Sequence, residues 1–221
     1  NKAIYIAGGT GFVGIWTATL LAYLNEHHSF NTQVFLLARN PAVLNQLAPH
    51  LVKDKNITLI ENDVRKVFEL PSETHYVIHA ACTPDSRFHT LNPLETMSII
   101  TDGTKNLLSV AQRCSYLEKF LYLSSASVYG AQPFDLSTIS EDFLGSSVRS
   151  NSAMSAYAQT KCFAETLTSV FRSQYRLPTM IARPFAFVGP YQRVDSPWAI
   201  NNFVHDVLNG ERIKVLGDGR T

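Results

Sequence analysis

The sequence predicts an α/β fold, a doubly wound parallel sheet with helices on both faces, followed by the beginning of a smaller C-terminal lobe. Short apolar runs alternate with longer helical patterns along most of the 221 residues, which is the order typical of parallel sheets. The first apolar run leads through a glycine-rich loop directly into a helical pattern. A second unit begins after Gly189-Pro190-Tyr191, so we divide the chain into residues 1–190 and 191–221.

Composition and charge exclude several classes of protein. Hydrophobic residues make up 45% of the chain, enough for a buried core, and a formal net charge of +1 argues against a nucleic-acid partner. No apolar run is long enough to span a bilayer, and the N-terminus does not resemble a signal peptide. The chain lacks an initial Met and ends just after a strand-like run, so we expect the C-terminal lobe to be truncated.

The cysteines indicate a reducing compartment. There are three, an odd number, and they are scattered along the chain at spacings that do not suit a metal ion. We therefore expect reduced, partly buried thiols, no metal site and a cytoplasmic location. These cysteines are Cys82, Cys114 and Cys162.

The first predicted strand, Lys2–Ala7, runs into a loop whose glycines recur at every third position. The first glycine permits a tight turn, the second lets the backbone approach a pyrophosphate, and the third lets the following helix pack close to the strand. The helix then points its positive dipole end at the phosphates. In this context we favour dinucleotide binding over a purely structural turn. The residues assigned to it are Gly8, Gly11, Phe12, Val13 and Gly14.

The second strand, Gln33–Leu37, is followed by Ala38-Arg39, where an acidic residue would hydrogen-bond the adenosine ribose of NAD. Without that carboxylate a 2′-phosphate meets no repulsion, and Arg39 could bind it with a charged fork. We therefore favour NADP over NAD as the cofactor. The alternative is that Arg39 covers the surface or stacks on adenine.

Two further strand ends are expected beside the cofactor. Asp63, after the third apolar run, either accepts a hydrogen bond from the adenine amino group or caps the next turn. The fourth strand, Tyr76–Ala81, ends in Ala80 and Ala81, which are small enough for a cofactor to pass close by. His79 in that strand is interpreted as a core histidine.

The remaining elements complete the alternation of strands and helices. We predict helices at Pro41–Leu47, Pro93–Arg113, Ala153–Arg172 and Pro197–Leu208, and strands at Ile57–Ile60, Phe120–Leu123, Thr179–Ala182 and Ile213–Val215. The polar stretch Gln132–Asn151 is predicted to be a surface loop that arches towards the active site.

A possible catalytic set lies in the second half of the chain. Tyr157 and Lys161 are four residues apart on a predicted helix and therefore share one face. A nearby ammonium group would lower the phenol pKa, so that Tyr157 could exchange a proton with a sugar or alcohol hydroxyl near neutral pH. Ser125, after the fifth strand, could hold the same oxygen from another side. Alone, such a Tyr–Lys pair also fits an ordinary exposed helix.

Together these motifs resemble the extended short-chain dehydrogenase/reductase family, which contains the nucleotide-sugar epimerases and dehydratases. The resemblance covers essentially the whole chain and is much more specific than any single motif. It implies a Rossmann fold and a nucleotide-sugar substrate. The matching segments are GGTGFVG at Gly8–Gly14, Asp63-Val64, SSASVYG at Ser124–Gly130, YAQTK at Tyr157–Lys161 and RPFAFVGP at Arg183–Pro190.

Site roles follow from the resemblance, position by position. Tyr157 would be the acid/base, Ser125 its catalytic serine partner, and Lys161 would bind the nicotinamide ribose. Val64 joins Asp63 on the cofactor, and Arg183 lies in a segment used around the cofactor and nucleotide-sugar. The resemblance also implies a homodimer, formed through the two long helices Pro93–Arg113 and Ala153–Arg172.

Departures from the family pattern narrow the range of reactions that we expect from this protein. Ala126 and Ser127 occupy the positions where dehydratases carry an Asp-Glu pair, and the glutamate of the decarboxylases is also missing. Ile100 stands where the long helix usually carries an asparagine, which places a proton relay there in doubt. We therefore expect a nucleotide-sugar epimerase or 4-keto reductase. The alternatives are a 4,6-dehydratase or decarboxylase of the same family, or a non-catalytic dinucleotide-binding protein.

Overall fold

The computed structural model describes residues 2–83, 85–133, 135–143, 155–192, 196 and 198–215. The strands are β1 (Ala3–Ala7), β2 (Gln33–Ala38), β3 (Ile57–Glu61), β4 (Thr74–His79), β5 (Lys119–Leu123) and β6 (Thr179–Ala182). The helices are α1 (Phe12–His28), α2 (Leu44–Leu47), α3 (Pro49–Lys53), α4 (Ser86–Leu91), α5 (Pro93–Ala111), α6 (Ala156–Tyr175) and α7 (Ala199–Leu208). Short 3₁₀ turns lie at Pro41–Val43, Val64–Lys66 and Ala126–Tyr129.

The described strands form one six-stranded parallel sheet in the order β3-β2-β1-β4-β5-β6. The chain winds outward from β1 to β3, returns to β4 on the other side of β1, and winds outward again to β6. The strand order therefore reverses beside β1, and in such sheets ligands bind in the crevice at the carboxyl ends of the strands flanking that point. The predicted doubly wound fold is confirmed.

Two hydrophobic clusters lie on the sheet's opposite faces, because successive side chains of a strand point in opposite directions. In β1, Tyr5 and Ala7 belong to a cluster with residues of α5 and α6, whereas Ile6 belongs to one with residues of α1, α2 and α3. All three side chains are at most 1% exposed. Strand β1 is thus buried on both faces, which explains why its sequence is apolar without alternation.

Several boundaries differ from the predictions. Strand β4 ends at His79 and not at Ala81, because its pairing with β1 ends at Ala7↔His79. Helix α6 continues to Tyr175 and ends where Arg176 adopts a left-handed conformation. The short helices α3 and α4 were not predicted. Ala153, Pro197 and residues 144–151 of the predicted loop lie outside the described residues.

The predicted strand Ile213–Val215 is wrong for the described part of the chain. These residues have no secondary structure, and Ile213 and Val215 are 46% and 68% exposed. A strand needs a hydrogen-bonded neighbour, and none of the described strands pairs with this segment.

Among the described residues, no helix combines the length and the apolar character needed to cross a membrane.

Candidate functional site

The glycine loop packs against the end of β4 so closely that side chains are excluded. Gly8 has a φ of +95°, and a Cβ placed there would lie 2.7 Å from the backbone carbonyl of Ala80. A Cβ at Gly14 would lie 2.4 Å from the carbonyl oxygen of Gly8. The first and third glycines therefore serve the turn and the close approach of α1, as predicted. Gly11 is exposed, and a Cβ placed there would lie 3.3 Å from the carbonyl oxygen of Gly8.

The N-terminus of α1 is suited to an anion. Gly11 caps the helix without a side-chain hydrogen bond, and the first turn contains no acidic residue. The amides of Phe12, Val13 and Gly14 precede the first intrahelical bond, which Ile15 donates to Gly11. Free amides at the positive end of the helix dipole fit a pyrophosphate group. The observed residues thus fit the dinucleotide that the sequence implies.

A cavity of about 740 Å³ opens above this loop, and we call it the glycine-loop cavity. Its size is within the range of small-molecule and cofactor sites. The predicted site residues that line it are Gly8, Gly11, Phe12, Arg39, Asp63, Val64, Ala80 and Ala81. The predicted residues Val13, Gly14, Ser125, Tyr157, Lys161 and Arg183 do not line it. Lining residues that were not predicted include Asn40, Asn62, Cys82, Thr83, Tyr191 and Trp198.

Arg39 and Asp63 lie at the cavity beyond the ends of β2 and β3. Arg39 is exposed, whereas the Asp63 side chain is only 14% exposed and is bound by Arg65 at 2.6 and 2.9 Å. Asp63 also accepts a hydrogen bond from the Arg65 amide and caps the 3₁₀ turn, as one of the two interpretations predicted. The hydrogen bonds from Arg65 lower the pKa of Asp63 to about 2, so this carboxylate is charged at neutral pH.

Aromatic side chains form one wall beside the glycine loop. Phe12 stacks on Phe187 with ring centroids 5.5 Å apart, and Trp16 meets Tyr191 edge-on at 5.8 Å. The indole nitrogen of Trp16 donates a hydrogen bond to the carbonyl of Pro190 at 3.0 Å. Residues that follow β6 are thereby held against α1.

Ser125 and Tyr157 come together, as predicted. Ser125 caps the 3₁₀ turn, and its Oγ lies 2.9 Å from the Oγ of Ser127. A hydrogen bond from the Ser125 side chain acts on Tyr157 and lowers its pKa, but burial has the larger effect and raises that pKa to about 12. The predicted lowering of the Tyr157 pKa by Lys161 is therefore wrong for this structure, in which desolvation of the phenolate dominates.

Lys161 lies beneath these residues with only 5% of its surface exposed. Its Nζ donates to the carbonyl oxygen of Leu123 at 2.7 Å and lies 5.0 and 5.9 Å from the ring centroids of Tyr122 and Tyr157. Burial lowers the pKa of Lys161, whereas Cys82 and Glu165 raise it. The ammonium is thus directed to a backbone carbonyl and to aromatic faces, which explains why it does little to the Tyr157 hydroxyl.

Arg183 occupies a different environment from the other predicted site residues. Its guanidinium donates to both carboxylate oxygens of Glu165 at 2.9 and 2.7 Å, to the Tyr129 hydroxyl at 3.1 Å and to the carbonyl of Glu141 at 2.8 Å. It therefore ties α6 to the segment between β5 and α6. Its cofactor-binding role remains a prediction that these contacts do not support.

Two residues near Tyr157 were missed by sequence reasoning. Cys82 lines the glycine-loop cavity, and its proximity raises the pKa values of both Tyr157 and Lys161. His89 stacks on the Tyr157 ring. The position of Cys82 just after β4 could have indicated that it lies near the site, because the carboxyl ends of strands border the crevice. No sequence signal placed His89 there.

Two smaller expectations can be compared with the structure. His79 is 2% exposed, its Nε2 lies 2.9 Å from the Thr104 hydroxyl, and burial lowers its pKa to about 3, so it is a neutral core histidine. The three cysteines are partly buried free thiols. No group of three or more potential metal ligands occurs in the described ranges.

The chain is similar to curated proteins that are UDP-glucuronic acid decarboxylases. It is 29% identical over 219 residues to UDP-glucuronic acid decarboxylase 1 of Xenopus tropicalis, and the aligned region covers 99% of this chain and 49% of that protein. It is also 29% identical over 217 residues to UDP-glucuronic acid decarboxylase 4 of Arabidopsis thaliana, covering 98% of this chain and 46% of that protein. The chain thus spans about half the length of these relatives.

Solved structures share the fold over almost the entire chain. UDP-glucuronic acid 4-epimerase from Bacillus cereus, in complex with UDP-glucuronic acid and NAD, matches with a TM-score of 0.80 at 24% identity, over 99% of this chain and 67% of that one. UDP-N-acetylglucosamine 4-epimerase from Methanobrevibacter ruminantium matches with a TM-score of 0.78 at 25% identity, over 99% of this chain and 66% of that one.

The family assignment rests on the match to a family model, which extends over residues 4–221 and so includes the glycine loop, the Ser–Tyr–Lys group and the segment after β6. The chain therefore belongs to the NAD dependent epimerase/dehydratase family.

Proposed function

We propose that this protein is an enzyme that oxidises or reduces one carbon of a nucleotide-sugar, as an epimerase or a 4-keto reductase. The observation that supports the proposal is the grouping of Ser125, Tyr157 and Lys161 in a chain that also has a glycine-loop cavity of cofactor size. A non-catalytic dinucleotide-binding protein has no need of a buried tyrosine held by a serine above a buried lysine. Relatives that act on UDP-sugars support a substrate of this class.

A nicotinamide dinucleotide would lie along the cavity, with its pyrophosphate at the N-terminus of α1 and its adenosine near Arg39 and Asp63. When bound, the nicotinamide supplies the acceptor or donor for hydride. Tyr157 holds its proton at neutral pH and so is poised to donate one to a keto-sugar oxygen, or to recover it from the hydroxyl in the reverse direction. Ser125 would hold the same sugar oxygen, and Lys161 would bind the nicotinamide ribose.

The choice between NAD and NADP depends on Arg39. Its exposed guanidinium borders the cavity, and Ala38 supplies no carboxylate to repel a 2′-phosphate. We therefore propose a preference for NADP, which suits net reduction of a keto-sugar, although the family description and several solved relatives name NAD. An epimerase would instead retain NAD tightly.

A second candidate is decarboxylation of a UDP-glucuronic acid, because the curated relatives described above catalyse that reaction by name. Ser127 argues against it. It stands where dehydratases of the family carry an acidic residue, and the chain also lacks the glutamate of the decarboxylases. The Ser127 hydroxyl, which donates to Ser125 Oγ at 2.9 Å, is not an acid of suitable pKa.

Product analysis tests the proposal. The full-length protein, incubated with UDP-glucuronic acid, UDP-glucose or UDP-N-acetylglucosamine and with NAD or NADP, should convert one of them to its C4 epimer, or should reduce a 4-keto sugar with NADPH. Mass spectrometry separates these products from a decarboxylated one, which is lighter by carbon dioxide. Release of carbon dioxide would favour the second candidate, and no turnover of any keto or hydroxy sugar would contradict both.

We also propose that residues 191–221 begin the substrate-binding lobe and that the protein forms a homodimer. Tyr191 and Trp198 already line the cavity from this part of the chain. Helices α5 and α6 pack against each other and still expose large apolar side chains, among them Met97 at 41% and Phe163 at 51%. Such side chains fit a helical interface between two copies.

A further inference from the structure

His89 makes two contacts that join Tyr157 to the wall of the glycine-loop cavity. Its imidazole stacks on the Tyr157 ring with centroids 4.2 Å apart and planes only 8° from parallel. Its Nε2 lies 2.6 Å from the carbonyl oxygen of Thr83, which lines the cavity. A carbonyl can only accept, so the hydrogen is on Nε2. Both rings are half-buried.

Local sequence explains why His89 is held in this place. Helix α4 is short and is capped by Asp85, whose side chain accepts from the Arg87 amide and pairs with the Arg87 guanidinium at 2.6 Å. The His89 amide donates to the Asp85 carbonyl at 3.2 Å. The helix is therefore anchored at its start. The His89 ring is held by the hydrogen bond to Thr83 at one edge and by the Tyr157 ring against one face.

The charge state of His89 suits stacking. Burial lowers its pKa, whereas the Thr83 hydrogen bond and Asp85 raise it and Lys161 lowers it further. The ring is thus neutral at neutral pH and covers the Tyr157 ring without placing a charge in a half-buried site. The groups that act on Tyr157 itself are Cys82 and Ser125.

We propose that His89 is a positioning residue for Tyr157, which fixes the orientation of the phenol ring by parallel stacking and ties it to the cavity wall through Thr83. This inference rests on the acid/base role proposed for Tyr157. A tyrosine that donates a proton to a sugar oxygen must keep its hydroxyl aimed at one place, and a small misplacement is costly in rate. The Ser125 hydrogen bond acts at the hydroxyl and the His89 ring covers one face, so the two contacts together restrict sideways movement of the ring and of the hydroxyl that it carries.

The test compares variants that separate the two contacts, in the full-length protein. His89→Ala removes both the stack and the hydrogen bond, whereas His89→Phe keeps a flat ring. The expected loss in kcat is about 10- to 100-fold for His89→Ala, with little change in cofactor Kd, and His89→Phe should recover most of it. His27→Ala is the matched control, because the exposed His27 ring lies 4.4 Å from the ring of Tyr23 in the last turns of α1 and does not line the cavity.

A second readout does not depend on turnover. NMR titration of the protein labelled with ¹³C-tyrosine, with Tyr157 assigned by Tyr157→Phe, reports the ionisation of that phenol. His89→Ala opens one ring face to water and should lower the pKa of Tyr157 by roughly one pH unit, whereas His89→Phe should leave it unchanged. If His89→Ala does not fold, His89→Leu, which keeps bulk without a flat ring, replaces it.

The outcomes separate the inference from the proposed function. A Tyr157 titration and a kcat that are the same in His89→Ala or His89→Leu as in the wild type would overturn the positioning role. Equal losses in His89→Ala and His89→Phe, accompanied by a lower melting temperature, would show a merely structural residue and would overturn it too. A shifted titration in a protein whose Tyr157→Phe variant keeps full turnover would instead refute the proposed function.

Discussion

Tyr157 is the residue on which the proposed chemistry depends most directly. Its pKa is raised to about 12, so the phenol carries its proton across the physiological range and gives it up less readily than a free tyrosine. Acting as a base requires a source of positive charge that this buried site does not supply through Lys161, whose ammonium bonds to Leu123. A cationic group bound in the cavity would supply it.

Replacing Tyr157 with Phe should remove turnover and leave cofactor binding intact. The variant loses only the hydroxyl, so kcat should fall by about 10²- to 10⁴-fold, the usual contribution of a general acid. Product formation and calorimetric cofactor titration are the two measurements. Tyr23→Phe, on the exposed part of α1, is the control. Unchanged turnover in Tyr157→Phe would support the non-catalytic alternative.

Arg39→Ala tests the cofactor preference. If Arg39 binds the 2′-phosphate, the variant should lose about 10- to 100-fold in NADP affinity, which corresponds to a charged hydrogen bond, and its NAD affinity should change little. Fluorescence titration with both dinucleotides measures this. Arg113→Ala removes a similar charge at the opposite edge of the sheet, where Arg113 bonds to Phe68, and should not alter the ratio. A preference for NADP that survives Arg39→Ala would refute the role given to Arg39.

Among the elements, the junction between β1 and α1 leaves no room for a side chain at Gly14. Gly14→Ala places a Cβ 2.4 Å from the Gly8 carbonyl oxygen, and the backbone there cannot move without distorting the loop. We expect a loss of about 1–3 kcal/mol in the free energy of unfolding, in spite of the better helix propensity of alanine.

Gly11→Ala is the matched comparison for that prediction. Its Cβ would meet the Gly8 oxygen at 3.3 Å, a contact that a small shift relieves, so its stability should stay close to wild type. Denaturant unfolding of both variants gives the two free energies. Equal stability of the two would mean that the close approach of helix and loop does not limit the fold.

The second element-level contact is the pairing of Arg183 after β6 with Glu165 on α6. The two side chains are 30% and 12% exposed, and burial of the carboxylate makes an unpaired partner costly. Arg183→Met should therefore lower the free energy of unfolding by about 1–3 kcal/mol, and Glu165→Gln by a similar amount. Cofactor affinity should be unaffected by either. A loss of cofactor affinity confined to Arg183→Met would instead restore the binding role that the family resemblance implies.

At the scale of the whole molecule, the single chain leaves an apolar surface on α5 and α6 exposed to water. Large exposed side chains on two helices that pack together fit an interface with a second copy, in which they would be removed from water. The double variant Met97→Glu/Phe163→Glu should therefore be monomeric in analytical ultracentrifugation where the wild type is a dimer. Leu20→Glu, a 55% exposed position on α1, is the control and should keep the wild-type mass. A wild type that sediments as a monomer would contradict the proposal.

The alternation of strands and helices and the glycine loop could be inferred from sequence, because each follows from local backbone requirements and hydrophobic periodicity. The apolar strand Ala3–Ala7 must be buried on both faces, and the spacing of Gly8, Gly11 and Gly14 is meaningful only between a strand and a helix. These features need no knowledge of distant contacts.

Other features depended on which distant residues meet. Three of them involve residues at least 18 positions apart in the chain. These are the raised pKa of Tyr157, the pairing of Arg183 with Glu165 and the stacking of His89 on Tyr157. Desolvation and charge pairing depend on burial and on distances of a few ångströms, and neither quantity is local in sequence. The residue types were visible in the chain, but only the folded arrangement decided which of them face the cavity, which support it and which are occupied elsewhere.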